Sequence, residues 1–246
     1  MAISIGTAGW TIPRDVADAF PAVGSSLERY ASRFAVAEIN SSFHRPHRIA
    51  TWERWRDSVP DGFRFSVKLP KAVTHQARLA DCEDLVGQFL EEAETLGRKL
   101  GVLLVQLPPK LELDPGVARL FFTDLAGRTR AQVACEPRNA SWFTNEGDAL
   151  LAELRVARVA ADPAICDAAA RPGGWSGLRY WRLHGSPQIY RSSYGERIAH
   201  IADQLRDGGE GKDSWCIFDN TASSAAAKDA LELLHSVDDT AEAGGN

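Results

Sequence analysis

The sequence contains none of the short motifs that mark a nucleotide site or a metal site. It has neither a G-x-G-x-x-G loop nor a P-loop, so it predicts no nucleotide cofactor. Its six histidines form no H-x-x-x-H or H-E-x-x-H pair, and no G-x-S-x-G elbow is present. Its four cysteines lie far apart without C-x-x-C spacing, which argues against a disulfide framework. We therefore expect no cofactor, and no metal site that a motif would reveal.

Long apolar runs and an excess of positive charge are also missing. No run approaches the ~18–20 apolar residues that cross a bilayer, and the N-terminal stretch MAISIGTAGW lacks the pattern of a secretory signal. We therefore expect a cytoplasmic protein that does not enter a membrane. The 28 basic and 33 acidic residues give a net charge of −5, which argues against a broadly basic nucleic-acid surface but allows a local basic pocket. The oligomeric state stays open.

What the sequence does contain is a regular alternation of short apolar runs and longer helical patterns. Several runs, such as VLLV and WCIF, are continuously apolar, as in parallel strands that are buried on both faces. Eight runs recur roughly every 30 residues, which leaves room for a crossover helix after each strand. The predicted strands are 3–6, 35–39, 63–67, 101–106, 131–135, 156–161, 178–183 and 214–218.

Repeated right-handed β–α crossovers predict an α/β fold, a single (β/α)8 TIM-like barrel with parallel strands and outer helices. We expect this domain to span residues 1–237 and the tail, 238–246, to be disordered. An open doubly wound sheet is the alternative architecture. The segment 163–177 is rich in Ala, Pro and Gly and predicts a short or degenerate sixth helix. The other predicted helices are 27–34, 49–58, 84–99, 114–125, 146–154, 198–205 and 225–234.

Titratable and hydrogen-bonding side chains end nearly every predicted strand. In a parallel barrel the active site lies at the C-terminal ends of the strands, so these side chains are expected to share one cavity. We predict three catalytic candidates, Lys68, Glu136 and His184. The predicted substrate-binding residues are Trp10, Glu38, Asn40, Gln106, Arg138, Arg182, Tyr190 and Asn220.

Two of the strand ends carry charges whose roles the sequence leaves open. Glu136 and Arg138 stand two positions apart and therefore point to one face. Glu136 is a candidate general acid or base if burial raises its pKa, and a structural ion pair with Arg138 is the alternative. Lys68 either holds an anion, forms a Schiff base or reaches out to solvent. The nearby Arg138 and Arg182 favour a bound anion.

His184 is the best acid–base candidate because the ordinary pKa of histidine lies near neutrality, and a structural histidine bonded to a carboxylate is the alternative. Tyr190 lies in a polar, aromatic loop that either forms a wall of the substrate site or simply packs. A metal site at the barrel mouth is conceivable but lacks any supporting ligand spacing. Its four ligands would be Glu136, Asp162, His184 and Asp219.

Seven segments in chain order carry a resemblance to a known family. They are GTAGW (6–10), AEINSSF (37–43), FRFSVK (63–68), VQLPP (105–109), EPR (136–138), RLHG (182–185) and FDNT (218–221). Together they resemble the YecE-like family, catalogued as domain of unknown function 72, over residues from about 3 to about 236.

This resemblance implies a TIM-like barrel and implies no activity. Family members commonly carry a tyrosine after the Asn-x-x-Phe segment, where this chain has His44, so a role for a tyrosine hydroxyl does not transfer. The recurring polar positions of the family fall on Glu38, Asn40, Lys68, Gln106, Glu136, Arg138, Arg182, His184 and Asn220.

Three functions are compatible with these residues, and each takes a small molecule as the expected partner. The first is an enzyme that uses acid–base chemistry on a small phosphorylated or carboxylated substrate at the strand C-terminal face. The second is a metal-dependent, hydrolase- or nuclease-like barrel. The third is a non-catalytic ligand-binding protein. Barrels carry unrelated chemistries, so the fold does not choose among them.

Overall fold

A ring of parallel strands forms the centre of the structure. The computed structural model describes residues 3–207 and 213–243, and within them ten strands form one sheet. The strands are β1 (Ile3–Ala8), β2 (Val36–Ile39), β3 (Arg64–Lys68), β4 (Leu100–Gln106), β5 (Gln132–Glu136), β6 (Val156–Arg158), β7 (Ala160–Asp162), β8 (Gly173–Gly174), β9 (Leu178–Leu183) and β10 (Asp213–Phe218).

The ring closes through a strand that changes partner halfway along. Strand β6 pairs in parallel with β5, and Val159 continues this pairing because its N–H donates to the carbonyl of Cys135 at 2.8 Å. The chain then enters β7, which pairs in parallel with β9. The predicted sixth strand is therefore two short strands, and together they join the two ends of the sheet. This closure confirms the barrel and excludes the open sheet.

The other neighbours follow the chain around the ring. Strand β1 lies between β10 and β2, and β3, β4 and β5 follow in order, all parallel. The short β8 pairs antiparallel with β6 outside this series. Parallel pairing throughout the ring places the C-terminal ends of the strands at one opening, which we call the barrel mouth.

Helices cover the outside of the ring, as the periodicity predicts. Asp114 caps α4 because its Oδ1 accepts from the backbone N–H groups of Gly116 and Val117, and Pro115 occupies the first turn. In the sixth crossover a four-residue 3-10 turn, Asp167–Ala170, confirms the predicted short helix. The helices are α1 (Ser26–Ala31), α2 (Ile49–Asp57), α3 (Glu83–Ala93), α4 (Pro115–Arg128), α5 (Asn145–Glu153), α6 (Arg197–Arg206) and α7 (Ala226–Ala243).

Two helix ends differ from the sequence predictions. The helix predicted at 84–99 stops at Ala93 and continues as a 3-10 segment, Glu94–Lys99. Gly97 interrupts it with a φ of 56°, a conformation that glycine adopts without strain. Helix α7 runs to Ala243, so the start of the segment predicted to be disordered, 238–246, is helical. Residues 244–246 of that segment lie outside the described residues.

The core has two layers, one outside and one inside the ring. The outer layer packs strand side chains such as Phe65 and Val105 against the helices. The inner layer fills the barrel with Val36, Leu104 and Trp215, among others. In the part of the chain that the structure describes, no helix is both long enough and apolar enough to cross a membrane.

Candidate functional site

Strand alternation delivers the polar side chains to the barrel mouth. On β2, Val36 packs inside the barrel while Ala37 packs in the outer layer, so Glu38 again points inward. The same period on β9 places Tyr180 inside, Leu183 outside and Arg182 inside. The lower part of the barrel is thus filled by apolar side chains, and the upper part is filled by charged ones.

Arg182 is the centre of a buried charge cluster. Its guanidinium is bidentate to Glu38, with Nε 3.0 Å from Oε2 and Nη2 2.6 Å from Oε1. Its Nη1 donates to Glu136 Oε2 at 2.5 Å, and its Nη2 donates to Asp219 Oδ2 at 3.0 Å. Four of the five N–H donors of an arginine are therefore bonded to carboxylates. We call Arg182 with these three acids the arginine cluster.

Burial and the neighbouring positive charges shift the pKa values of Glu136 and Asp219 in opposite directions. Burial by itself raises the pKa of Glu136, which is fully inaccessible, but the positive charges of Arg182, His184 and Arg138 hold it well below its usual range. The pKa of Asp219 is lowered for the same reason, because Arg182 and His184 outweigh the effect of burial. The condition under which Glu136 would act as a general base, a raised pKa, is therefore not met.

His184 joins the cluster through both ring nitrogens. Nδ1 lies 3.0 Å from Asp219 Oδ2, and Nε2 lies 3.0 Å from Glu136 Oε1. Burial lowers the pKa of His184, but the charge of Glu136 and the two hydrogen bonds raise it above its ordinary value. Arg138 Nη2 also lies 3.2 Å from Nε2, and this contact is no hydrogen bond when the ring is protonated, because both groups are then donors. The geometry favours an imidazolium that bridges two carboxylates.

Arg138 connects the arginine cluster to solvent. Its Nε donates to Glu136 Oε1 at 2.8 Å, as the alternation of the fifth strand predicts. About a quarter of its side chain, 23%, remains exposed, whereas Glu136 is buried. The ring of Tyr190 meets His184 edge-on at a centroid distance of 5.8 Å, so the tyrosine lies at the same rim. Arg138 is thus a permanent positive charge at the mouth, and one edge of its guanidinium is already bonded to Glu136.

Lys68 faces the same space without a counter-ion. Among the described residues it takes part in no ion pair, and its Nζ lies 4.1 Å from the centre of the Phe43 ring. Burial and the charge of Arg182 lower the pKa of Lys68 to about 8, although the carboxylates Glu38, Glu136 and Asp219 oppose this change. A lysine in this setting exchanges protons near neutral pH.

Two interior residues, Tyr180 and Ser66, were absent from the site predicted from the sequence. The hydroxyl of Tyr180 lies 3.0 Å from Glu38 Oε2 and 2.8 Å from Ser66 Oγ, and all three side chains are buried. Alternation within LRYWRL places Tyr180 on the same face as Arg182, and this was the signal available. Its position inside a strand, rather than at the end, hid it from a search of strand termini.

The remaining predicted binding residues take different places. Asn40 donates weakly to Asp219 at 3.4 Å, and its Oδ1 is buried without a partner among the described residues. Gln106 donates to the carbonyl of Leu107 at 2.7 Å. Both lie at the mouth, because their strands end there.

The amide nitrogen of Asn220 and the ring of Trp10 contact the surrounding structure, whereas Oδ1 of Asn220 is buried without a partner among the described residues. The amide of Asn220 donates to Asp229 Oδ2 at 2.6 Å and to the carbonyl of Ser192. The ring of Trp10 packs edge-on against Trp55 and Phe65 of the outer layer, at centroid distances of 5.3 and 6.3 Å.

The donor set at the mouth does not fit a metal ion. In residues 3–207 and 213–243, no three His, Cys, Asp or Glu side chains are arranged to hold one. The guanidinium of Arg182 lies between the acids, at the position that a cation would take. Asp162, the fourth ligand considered, pairs with Arg197 instead. The geometry gives no support to the metal-dependent alternative.

Comparison with known proteins places the chain in a family. The model of the family described as "Protein of unknown function DUF72" matches residues 4–244. The UPF0759 protein YecE of Escherichia coli K12 is 36% identical over 106 residues, which span 43% of this chain and 38% of that protein. The match thus covers less than half of the length of this curated relative.

Two solved structures share the fold over nearly the whole chain. A DUF72 family protein from Enterococcus faecalis has a TM-score of 0.79 at 20% identity and covers 96% of each chain. One from Thermotoga maritima has a TM-score of 0.78 at 19% identity and covers 97% of this chain and 100% of that chain. Identities this low show the fold alone. The family model matches almost every residue, and the chain therefore belongs to the DUF72 family of proteins of unknown function.

Proposed function

We propose that this protein is an enzyme that uses acid–base chemistry on a small phosphorylated or carboxylated substrate at the barrel mouth. One observation carries the proposal: among the described residues Lys68 faces the mouth without a counter-ion, beside a cluster whose charges are paired. A cation that the protein leaves unpaired in a half-enclosed site favours binding of an anion from solution.

The arginine cluster and Lys68 have different parts in this mechanism. Glu136 and His184, assigned proton exchange from the sequence, are bonded on both sides and serve instead to hold Arg182 and Arg138 in position. Arg138 keeps its charge at any physiological pH and attracts the anionic group of the substrate. Asn40, whose buried Oδ1 has no partner among the described residues, accepts from a hydroxyl group of the substrate.

Lys68 is the proton-exchanging group of the proposal. With a pKa of about 8 for Lys68, roughly a quarter of the protein molecules carry a neutral lysine at pH 7.5, and this amine is able to accept a proton. The neutral amine takes a proton from a carbon next to a carbonyl group, and the resulting ammonium returns it. No group other than the substrate and the lysine changes its covalent bonds in this step.

Deuterium exchange tests the proposal directly. The protein is incubated in D2O with dihydroxyacetone phosphate or pyruvate as probes, and loss of the C–H signal is followed by NMR. We expect wild type to exchange at least one probe, and Lys68→Met to exchange it at least ~100-fold more slowly. Lys110→Met, which removes an exposed lysine of the next loop, is the matched control and retains the wild-type rate.

Anion binding provides the second readout. Inorganic phosphate should raise the melting temperature of wild type and of Lys110→Met by clearly more than that of Lys68→Met. Exchange at the same rate in Lys68→Met would remove the lysine from the mechanism. Phosphate binding at Lys68 without exchange of either probe would contradict an enzyme of this class and favour the ligand-binding alternative.

A further inference from the structure

A second recess lies beside the mouth and shares one wall with it. A pocket of about 300 Å³ lies between the loop after β2, the segment after β3 and helix α3. Its volume is at the lower end of small-molecule sites, which span ~300–1,000 Å³. Phe43 lines this pocket and also carries the ammonium of Lys68 over its ring. The pocket is thus distinct from the charge cluster but adjacent to it.

The lining of the pocket is mostly apolar and partly aromatic. Phe89, which is buried, and Leu85, which is 36% exposed, line it from helix α3. Pro46, Pro70 and Ala72 complete the apolar part. Such a surface favours a flat apolar or aromatic group, because burying it removes apolar area from water on both partners.

Cations stand at the edge of this apolar surface. Arg45 and Lys71 both line the pocket, and within the described residues neither forms an ion pair. One carboxylate, Glu92, also lines the pocket. Its Oε2 accepts from the backbone N–H of His47 and from the indole N–H of Trp52. The pocket therefore presents unpaired positive charge beside an apolar base.

The same positive charges lower the pKa values of two nearby histidines, His47 and His75. Burial lowers the pKa of His47, and the charge of Arg45 lowers it further, against the opposing effect of Glu92. Burial likewise lowers the pKa of His75, and the charges of Lys68, Lys71 and Arg138 add to the effect. In a chain with a net charge of −5, positive charge gathered around one pocket is a local specialisation.

We infer that this pocket is a separate binding site for an aromatic anion, a ring that carries a phosphate or carboxylate group. The ring lies against Phe43 and Phe89, and the anionic group lies between Arg45 and Lys71. This site does not depend on the chemistry proposed for the mouth. A ligand bound here rests on Phe43, the residue under the ammonium of Lys68.

Phenyl phosphate and inorganic phosphate are the probes that separate the two sites. Calorimetric titration is carried out in the Lys68→Met background, where binding of phosphate at the mouth is weakened. We expect phenyl phosphate to bind this variant about tenfold or more tightly than inorganic phosphate, since ~1.4 kcal/mol of ring burial gives that factor. Removing one cation, by Lys71→Met or Arg45→Met, lowers this affinity.

Pocket variants locate the binding. Ala72→Phe fills the pocket, and Leu85→Gln makes its wall polar at a position already open to solvent, so that folding is preserved. Both should bring phenyl phosphate down to the affinity of inorganic phosphate. Leu120→Gln, a leucine that is 76% exposed on α4, is the matched control and keeps the full affinity.

The outcomes separate this inference from the proposal for the mouth. Equal affinities for the two probes, or an advantage of phenyl phosphate that survives both pocket variants, would overturn the aromatic site. Phosphate binding that is unaffected by Lys68→Met would instead overturn the mouth proposal, while the dependence of phenyl phosphate on Ala72 and Leu85 would still support the pocket.

Discussion

The two sides of the barrel mouth treat charge in opposite ways. On one side, Arg182 is surrounded by Glu38, Glu136 and Asp219 at distances of 2.5–3.0 Å, and every partner is nearly inaccessible. On the other side, Lys68 is largely buried, and its ammonium lies over an aromatic ring and forms no ion pair with any residue in the described part of the chain. In the first arrangement each buried charge depends on its partners, so that removing one partner leaves the others uncompensated. The second costs stability, and proteins keep such a charge where it acts on a ligand.

Removing Arg182 should have the largest effect. Arg182→Met leaves three buried carboxylates without their common counter-ion, which costs about 3–5 kcal/mol. Urea unfolding measures the change as a lower midpoint. The matched control is Arg119→Met, which breaks a pair with Glu153 whose side chains are 49% and 61% exposed, and a loss of at most ~1 kcal/mol is expected there. Similar losses in both variants would show that the cluster adds no stability of its own.

Glu136→Gln should have the next largest effect, and the effect depends on pH. The folded-state pKa of Glu136 lies well below its unfolded value, so its stabilisation is present above about pH 4.5 and is lost as pH falls through the folded value. At pH 7 we expect the variant to unfold with about 2–4 kcal/mol less free energy than wild type. The difference should narrow steadily in acid. A difference that is constant from pH 7 to pH 3 would contradict a paired, ionised Glu136.

Lys68→Met should have the smallest effect and the opposite sign. The folded-state pKa of Lys68, about 8, lies below the unfolded value of 10.5, so the protonated lysine destabilises the fold at neutral pH and stability rises with pH between the two values. We expect the variant to gain about 1–3 kcal/mol at pH 7 and to lose this advantage near pH 10.

A second lysine provides the contrast for that measurement. Lys99 donates to the carbonyls of Arg56 and Val59, at 2.6 and 2.5 Å, so Lys99→Met should destabilise the protein. If both lysine variants lose stability at pH 7, Lys68 is a structural residue like Lys99, and the difference between the two sides of the mouth disappears.

Much of the fold could be predicted from periodicity, and the errors have local causes. The segment 156–161 is predicted as one strand because its partner change at Val159 leaves no mark in residue type. The helix predicted at 84–99 ends as an α-helix at Ala93, and the 3-10 segment after it is interrupted at Gly97, a residue that a helical pattern tolerates and that has a positive φ here. Helix α7 extends past Val237 through Asp and Thr residues that suggest a frayed end.

The sequence by itself determined which side chains reach the mouth. The period of two along each strand selects Glu38, Lys68, Glu136 and Arg182 for the inner face, and parallel pairing brings their ends to one opening. This much follows from local chemistry.

Only the tertiary structure decided which of these charges are neutralised. Whether the pKa of Glu136 ends above or below its usual value depends on a guanidinium 46 positions away along the chain. The unpaired state of Lys68 depends on the absence of any acid within ion-pair distance among the described residues. Electrostatic energy varies with distance in space, and a linear pattern of residue types holds no information about distances between separate strands.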